Sequence, residues 1–188
     1  PDPEDKIASR DLNHMVLEEL AKSYDYLIGG SADLASSTKT YLKDYPDILN
    51  ETHYLGKNIW FGVREHAMGA ILNGLALTGF HPYGSTFLSF SDYLKPALRM
   101  SALMSLPVTY IFTHDDITIG SDGPTHQPIE QLATLRATPN LDVYRPCDMK
   151  EIIGCWNEIL KQNKPSALIL SKNPVTTVIS SDIEKVHF

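Results

Sequence analysis

Cysteine is scarce in this chain, with only Cys147 and Cys155 among 188 residues. Two thiols eight positions apart make neither a disulfide framework nor a four-ligand zinc site, so a reducing compartment is expected. Long apolar runs are missing too: no stretch approaches the roughly 20 residues of a membrane-spanning helix. The opening Pro1-Asp-Pro-Glu-Asp5 lacks the basic and apolar regions of a secretory signal. A cytoplasmic protein without a membrane partner is therefore expected. Basic residues number 16 against 23 acidic ones, a net charge of −7 with no long block of one sign, which offers no surface for nucleic acid. No Gly-x-Ser-x-Gly elbow, Walker A loop, Gly-x-Gly-x-x-Gly fingerprint or His-Glu-x-x-His helix is present. Hydrolase, nucleotide-phosphate, dinucleotide and zinc-peptidase readings all lose support.

What the chain does carry is alternation. Residues 7–22 place Ile7, Leu12, Met15, Val16, Leu20 and Ala21 mostly on one helical face, and Tyr26-Leu-Ile-Gly-Gly30 follows as a short apolar run ending in glycines. Further strands are expected at Asn58-Ile-Trp-Phe61 and over residues 81–85, 107–113, 141–145 and 166–171. Helices are expected over 65–78, 94–106, 129–136 and 148–162, with Pro96 tolerable only in a first turn. Residues 39–57 fit no period: Tyr41, Tyr45 and Tyr54 fall irregularly and Pro46 interrupts them, so the segment reads as a surface excursion without a site. Apolar strands alternating with helices predict an α/β fold, doubly wound, with a mostly parallel sheet and helices on both faces. With 43% hydrophobic residues, residues 1–188 suffice for a single domain.

Chemistry concentrates after strand ends, where an open α/β sheet binds its ligands. Phe61-Gly-Val-Arg-Glu-His-Ala-Met68 puts Glu65 at the head of a helical run containing Gly69, Ala70, Gly74 and Ala76, whose face a backbone or a flat ligand can approach closely. A first-turn glutamate that complements the helix dipole explains the same placement. The polar loop after the first strand offers Asp33, Ser36 and Ser37, and Phe87, Phe90 and Tyr93 stand three apart, a row suited to core or to a flat cofactor. Densest of all is the 114–128 stretch, which holds two histidines, three aspartates and the turn-formers Gly120, Gly123, Pro124 and Pro128. His114, Asp115, Asp116, Asp122 and His126 have the chemistry of metal ligands, and equally that of a pocket in which histidines bind hydroxyl groups.

Four motifs in register, Gly29-Gly-Ser-Ala-Asp-Leu34, Arg64-Glu-His-Ala-Met-Gly69, Tyr83-Gly-Ser-Thr-Phe87 and Thr113-His-Asp through Asp122-Gly-Pro-Thr-His-Gln-Pro128, resemble the pyrimidine-binding middle domain of the transketolase family. The resemblance runs over residues 9–171 and implies the thiamine diphosphate-binding fold. It implies thiamine diphosphate as cofactor, with the aminopyrimidine against Phe87, Phe90 and Tyr93, Asp33 beside it, and Glu65 hydrogen-bonded to a ring nitrogen while protonated or sharing a proton. The implied activity moves a two-carbon ketol unit from a ketose phosphate to an aldose phosphate, as in the pentose phosphate pathway. The cofactor supplies the carbon chemistry and the protein supplies orientation and proton transfer.

By the same resemblance, catalytic roles fall to Glu65, His114 and His126, and sugar phosphates are expected at Arg10, Ser37, His114, Asp122, His126 and Lys172. Lys172 is a departure. Where the family has a Ser-Arg-Gln-Asn run, this chain has Ser171-Lys-Asn-Pro174, which keeps the charge and loses the bidentate fork. The family's Gly-Asp-Gly metal motif does not occur, so a divalent metal, magnesium or calcium, is expected in a diphosphate-binding domain outside this chain. The chain is then expected to be one domain of a larger enzyme, inactive alone, working as a homodimer together with the missing domains or a subunit of the same enzyme. A non-catalytic binding or assembly module, or a related enzyme such as dihydroxyacetone synthase or deoxyxylulose-phosphate synthase, is the other reading.

Overall fold

The computed structural model describes residues 6–48 and 55–176. Along them run β1 (Lys6–Ala8), α1 (Ser9–Ser23), β2 (Leu27–Ser31), α2 (Ala35–Thr38), β3 (Asn58–Trp60), α3 (Glu65–Leu77) and β4 (His81–Phe87). After β4 come α4 (Ser91–Leu103), β5 (Thr109–Thr113), α5 (Gln131–Arg136), β6 (Asp142–Tyr144), α6 (Met149–Ile159), β7 (Ser166–Ile169) and β8 (Pro174–Thr176). Six strands form one sheet in the order β3-β2-β4-β5-β7-β6, parallel throughout. The doubly wound α/β expectation holds. β1 and β8 pair antiparallel as a separate ribbon.

The central strands are apolar on both sides because both sides are covered. Tyr110, Phe112, Ala167 and Ile169 join the core under α3 and α4, whereas the alternate residues Ile111, Leu168 and Leu170 join the core under α1 and α6. Each buried leucine, isoleucine or phenylalanine among them contributes about 1.5–3 kcal/mol. On the second face the indole of Trp156 donates to the Asn13 side-chain oxygen at 2.8 Å, tying α6 to α1. On the first, Gly69 brings α3 against α4: a Cβ there would stand 2.8 Å from the Ala97 Cβ. Gly74 and Ala70 face outward, so only part of the small-residue face meets a neighbouring helix.

Four expectations are corrected. Pro96 lies in the second turn of α4, which starts at Ser91 rather than at residue 94, and the helix runs on through it. The loop after β2 contains the single-turn helix α2, and residues 6–8 extend as β1 because Pro174–Thr176 supplies a partner strand distant in sequence. The 39–57 segment is no simple excursion: Thr40 and Leu42 are buried, and the Asn58 amide grips the Leu42 backbone with two 2.9 Å bonds. Tyr54 lies outside the described residues.

Lys57, only 7% exposed, donates to the Ala21 and Tyr24 carbonyls at 2.8 and 2.6 Å. It thereby satisfies acceptors at the end of α1 that the helix itself leaves open. Replacing Lys57 with methionine keeps the apolar stem, strands the Ala21 carbonyl and leaves that of Tyr24 with the Leu27 amide alone, and is expected to cost about 1–3 kcal/mol in urea unfolding. An unchanged midpoint would show that water reaches them instead.

Candidate active-site cleft

Chain order reverses between β2 and β4: from β2 the chain moves outward to β3, then crosses back to β4 on the other side. Such a switch point opens a crevice at the carboxyl ends of the flanking strands. A cleft of about 350 Å³ lies at this edge, lined by Arg10, Ser36, Ser37, Lys39, Phe87, His114, Asp122, His126 and Lys172. Arg10 reaches it because α1 is docked onto the end of β7. The Ser9 amide donates to the Ser171 hydroxyl at 2.9 Å and the Ser171 amide to the Ser9 hydroxyl at 2.6 Å. This reciprocal clasp sets the spacing of the next residues along, Arg10 and Lys172.

His114 follows β5 in a left-handed conformation, φ +60°, uncommon for a residue with a side chain. Its imidazole is 2% exposed, stacks on Phe87 with centroids 3.7 Å apart, and has Nδ1 bonded to the Thr113 hydroxyl at 2.8 Å. Nε2 is left 3.8 Å from the Asp122 carboxylate. Burial, with the positive charges of Arg10 and Lys172 adding to it, pushes this histidine down to about 4. At neutral pH it is uncharged, so the contact with Asp122 is polar rather than ionic. Asp122 takes its ion pair from Lys172, whose ammonium donates at 2.8 Å and holds the carboxyl below the usual range. His126 closes the cleft over the aromatic row, 5.0 Å from the Phe90 ring and 5.8 Å from Phe87.

The geometry commits two of the five candidate metal ligands in the 114–128 stretch to other partners. Asp115 is held by Arg145 through bonds of 3.0 and 2.8 Å, and Asp116 accepts from the Thr118 amide and hydroxyl. Among the described residues no group of three or more histidine, cysteine or carboxylate side chains is placed to hold a metal ion.

Glu65, Phe90, Tyr93 and Asp33 lie outside the cleft lining. Glu65 opens α3 and is 9% exposed, and its carboxylate has no hydrogen bond or ion pair among the described residues. Phe87 and Phe90 stack at 5.6 Å, and Phe90 meets Tyr93 at 6.0 Å, a ladder that ends on Tyr93 at 65% exposure. Asp33 is exposed with φ +63°. Lys39 was not among the residues the sequence marked out. A lysine in a left-handed turn carries no local signal, since asparagine, aspartate or glycine is the usual occupant.

The family model described as the transketolase pyrimidine-binding domain matches residues 5–177. This chain belongs to that family. The transketolase of Bacillus subtilis (strain 168) is 52% identical over 174 residues, 92% of this chain and 26% of the relative. A transketolase structure from Pichia stipitis, a complex with sedoheptulose 7-phosphate, superposes with a TM-score of 0.93 at 43% identity, covering 97% of this chain and 28% of that one. A split-gene transketolase described as an inactive β4 tetramer matches with a TM-score of 0.77 at 27% identity, covering 95% of this chain and 56% of that one. The transketolase-family domain thus spans about a quarter of its curated relatives' length. The family implies thiamine diphosphate. A buried carboxylate with no partner among the described residues and a stepped aromatic row have the chemistry that the pyrimidine half of that molecule needs.

The His114 assignment has a measurable consequence. Its proton affinity is lower in the folded than in the unfolded chain, so folding stability falls through this group as pH drops from about 6.5 toward about 4, and not above that window. In a proton NMR titration of the chain, the His114 resonances should move near pH 4. A midpoint at 6 or above would show that burial in the cleft does not depress the imidazole.

Proposed function

We propose that this chain is the pyrimidine-binding and substrate-binding domain of a transketolase that moves a two-carbon ketol unit from a ketose phosphate to an aldose phosphate. The observation that carries the proposal is the convergence of Arg10, Ser37, His114, Asp122, His126 and Lys172 on one cleft at the sheet edge where α3 begins with Glu65. Arg10 and Ser37 hold the phosphate end, Asp122 reads a sugar hydroxyl, and His114 and His126 bind hydroxyl and carbonyl oxygens and exchange protons there. Neutral His114 suits that work, because with Nδ1 bonded to the Thr113 hydroxyl its Nε2 acts as donor or acceptor according to the tautomer. The known structure with sedoheptulose 7-phosphate supports a sugar phosphate as ligand.

Glu65 holds a proton at the ring nitrogen of the pyrimidine, and Phe87, Phe90 and Tyr93 orient that ring and keep water from it. Asp33 stands beside the same site. Bound thiamine diphosphate would supply the carbanion chemistry by which the ketol unit is transferred. Its diphosphate and a divalent metal, magnesium or calcium, belong to a second domain, and the isolated domain is inactive. Ile71 and Leu77 on α3 and Tyr93, Met100 and Leu103 on α4 stand exposed, and apolar side chains presented together mark a surface for a partner. That partner is another part of the same enzyme in a homodimer. Placement in the cytoplasm and in the pentose phosphate pathway follows from the same reading.

In the complete enzyme, Glu65→Ala should leave the fold intact, as judged by circular dichroism and thermal unfolding, and lower turnover by roughly two orders of magnitude or more. Near-normal turnover would end the proton-holding role.

A further inference from the structure

The charges of the cleft do not all point into it. Lys172 is committed to Asp122 at 2.8 Å. Arg10 gives Nη1 to the Ser37 carbonyl at 2.9 Å and has its Nε 3.6 Å from the Asp11 carboxylate. The third cation of the lining, Lys39, has no hydrogen bond or ion pair among the described residues.

Its backbone is nonetheless firmly mounted. Lys39 caps α2 with φ +58° and ψ +44°, its amide donating to the Ala35 carbonyl. Both chain neighbours are anchored below it: the buried Thr38 and Thr40 hydroxyls lie 3.0 and 2.7 Å from the hydroxyl of Ser85 on β4. A left-handed lysine is disfavoured locally and persists where its surroundings over-determine it. The outcome is a lysine of the cleft lining, mounted on a fixed turn, whose ammonium has no partner among the described residues.

We propose that Lys39 is the specificity cation for the phosphate group of the sugar, acting with Arg10, while Lys172 is a positioning residue that holds Asp122 for the sugar hydroxyls. This rests on the sugar-phosphate reading of the cleft. A phosphate monoester dianion matches the site chemically, because a flexible ammonium without a carboxylate partner gains most from a multiply charged oxygen acceptor. The Lys172 ammonium already gives one of its three donors, and part of its charge, to Asp122.

The test uses the complete enzyme, with Michaelis constants for a ketose phosphate and for the matching free ketose, and inhibition by inorganic phosphate. Lys39→Gly accommodates the left-handed turn, and Lys39→Gln repeats the test with a longer side chain. Either should narrow the preference for the phosphorylated donor, measured as the ratio of the two KM values, by about tenfold or more, and weaken phosphate inhibition in parallel. Lys39→Arg should retain most of both. Lys172→Met should raise both KM values together. The proposal is overturned if the Lys39 variants leave the ratio within about twofold of the unaltered enzyme, or if Lys172→Met alone removes the phosphate preference. An unaltered enzyme with neither preference nor phosphate inhibition would instead defeat the sugar-phosphate reading on which the proposal stands.

Discussion

Everything at the cleft depends on the six strands running in one direction. In a parallel sheet each strand must be followed by a crossover, so the segments that leave β2, β3, β4, β5 and β7 all emerge at the same edge. That single constraint brings Ser37, Glu65, Phe87, His114 and Lys172 to one side of the molecule although more than a hundred residues separate the first from the last. The small ribbon of β1 and β8 adds the one contributor that precedes the sheet. It carries the start of α1 to the end of β7, and the Ser9 and Ser171 clasp locks Arg10 there. Loss of the sheet's direction would scatter the site. Loss of the ribbon would loosen Arg10 and, through the clasp, Lys172.

Beneath the cleft floor lies a layer that does no chemistry. Ser85 is fully buried on β4, with Thr38 and Thr40 above it, and its hydroxyl also donates to the Gly30 carbonyl at 3.3 Å. Buried hydroxyls are costly unless each finds a partner, and here they satisfy one another across three segments. The loop after β2 is thereby fastened to the centre of the sheet at the point where the cleft needs it still. Gly84, beside Ser85, has no room for a side chain: a Cβ would stand 2.4 Å from Leu72 Cδ1. Close packing on one face and hydroxyl bonding on the other fix the strand that carries Phe87.

The fold was legible because burial on both faces writes continuous apolar runs into the sequence, and all six runs became strands. Local pattern could not show pairings that depend on distant partners. Lys6–Ala8 is extended because Pro174–Thr176 lies beside it, and nothing within residues 6–8 announces that. The same limit applies at the site. His114, Asp122 and His126 stood out in a Gly- and Pro-rich stretch after a strand, yet that stretch does not reveal that Asp115 turns to Arg145 and Asp122 to Lys172. Lys39 was hidden for a different reason. Its place in the cleft lining comes from a left-handed turn whose two neighbours are bonded to Ser85, far away in the chain.

The electrostatics of the cleft ties these parts together. Burial makes charging His114 unfavourable, and Arg10 and Lys172 make it more so, while Asp122 opposes them. An anionic group bound at this rim would screen those cations from the imidazole. It would thereby raise the proton affinity of His114 toward its ordinary value, and by reciprocity protonation there would favour the anion. Lys172 sits at the centre of this balance, because the ammonium that repels a proton from His114 also keeps Asp122 ionised 3.8 Å from the same ring. A shorter or neutral side chain at position 172 would alter both influences at once. Burial and Arg10 do most to keep His114 neutral, and the Lys172–Asp122 pair adjusts that balance through two opposed influences while fixing the direction of its own carboxylate.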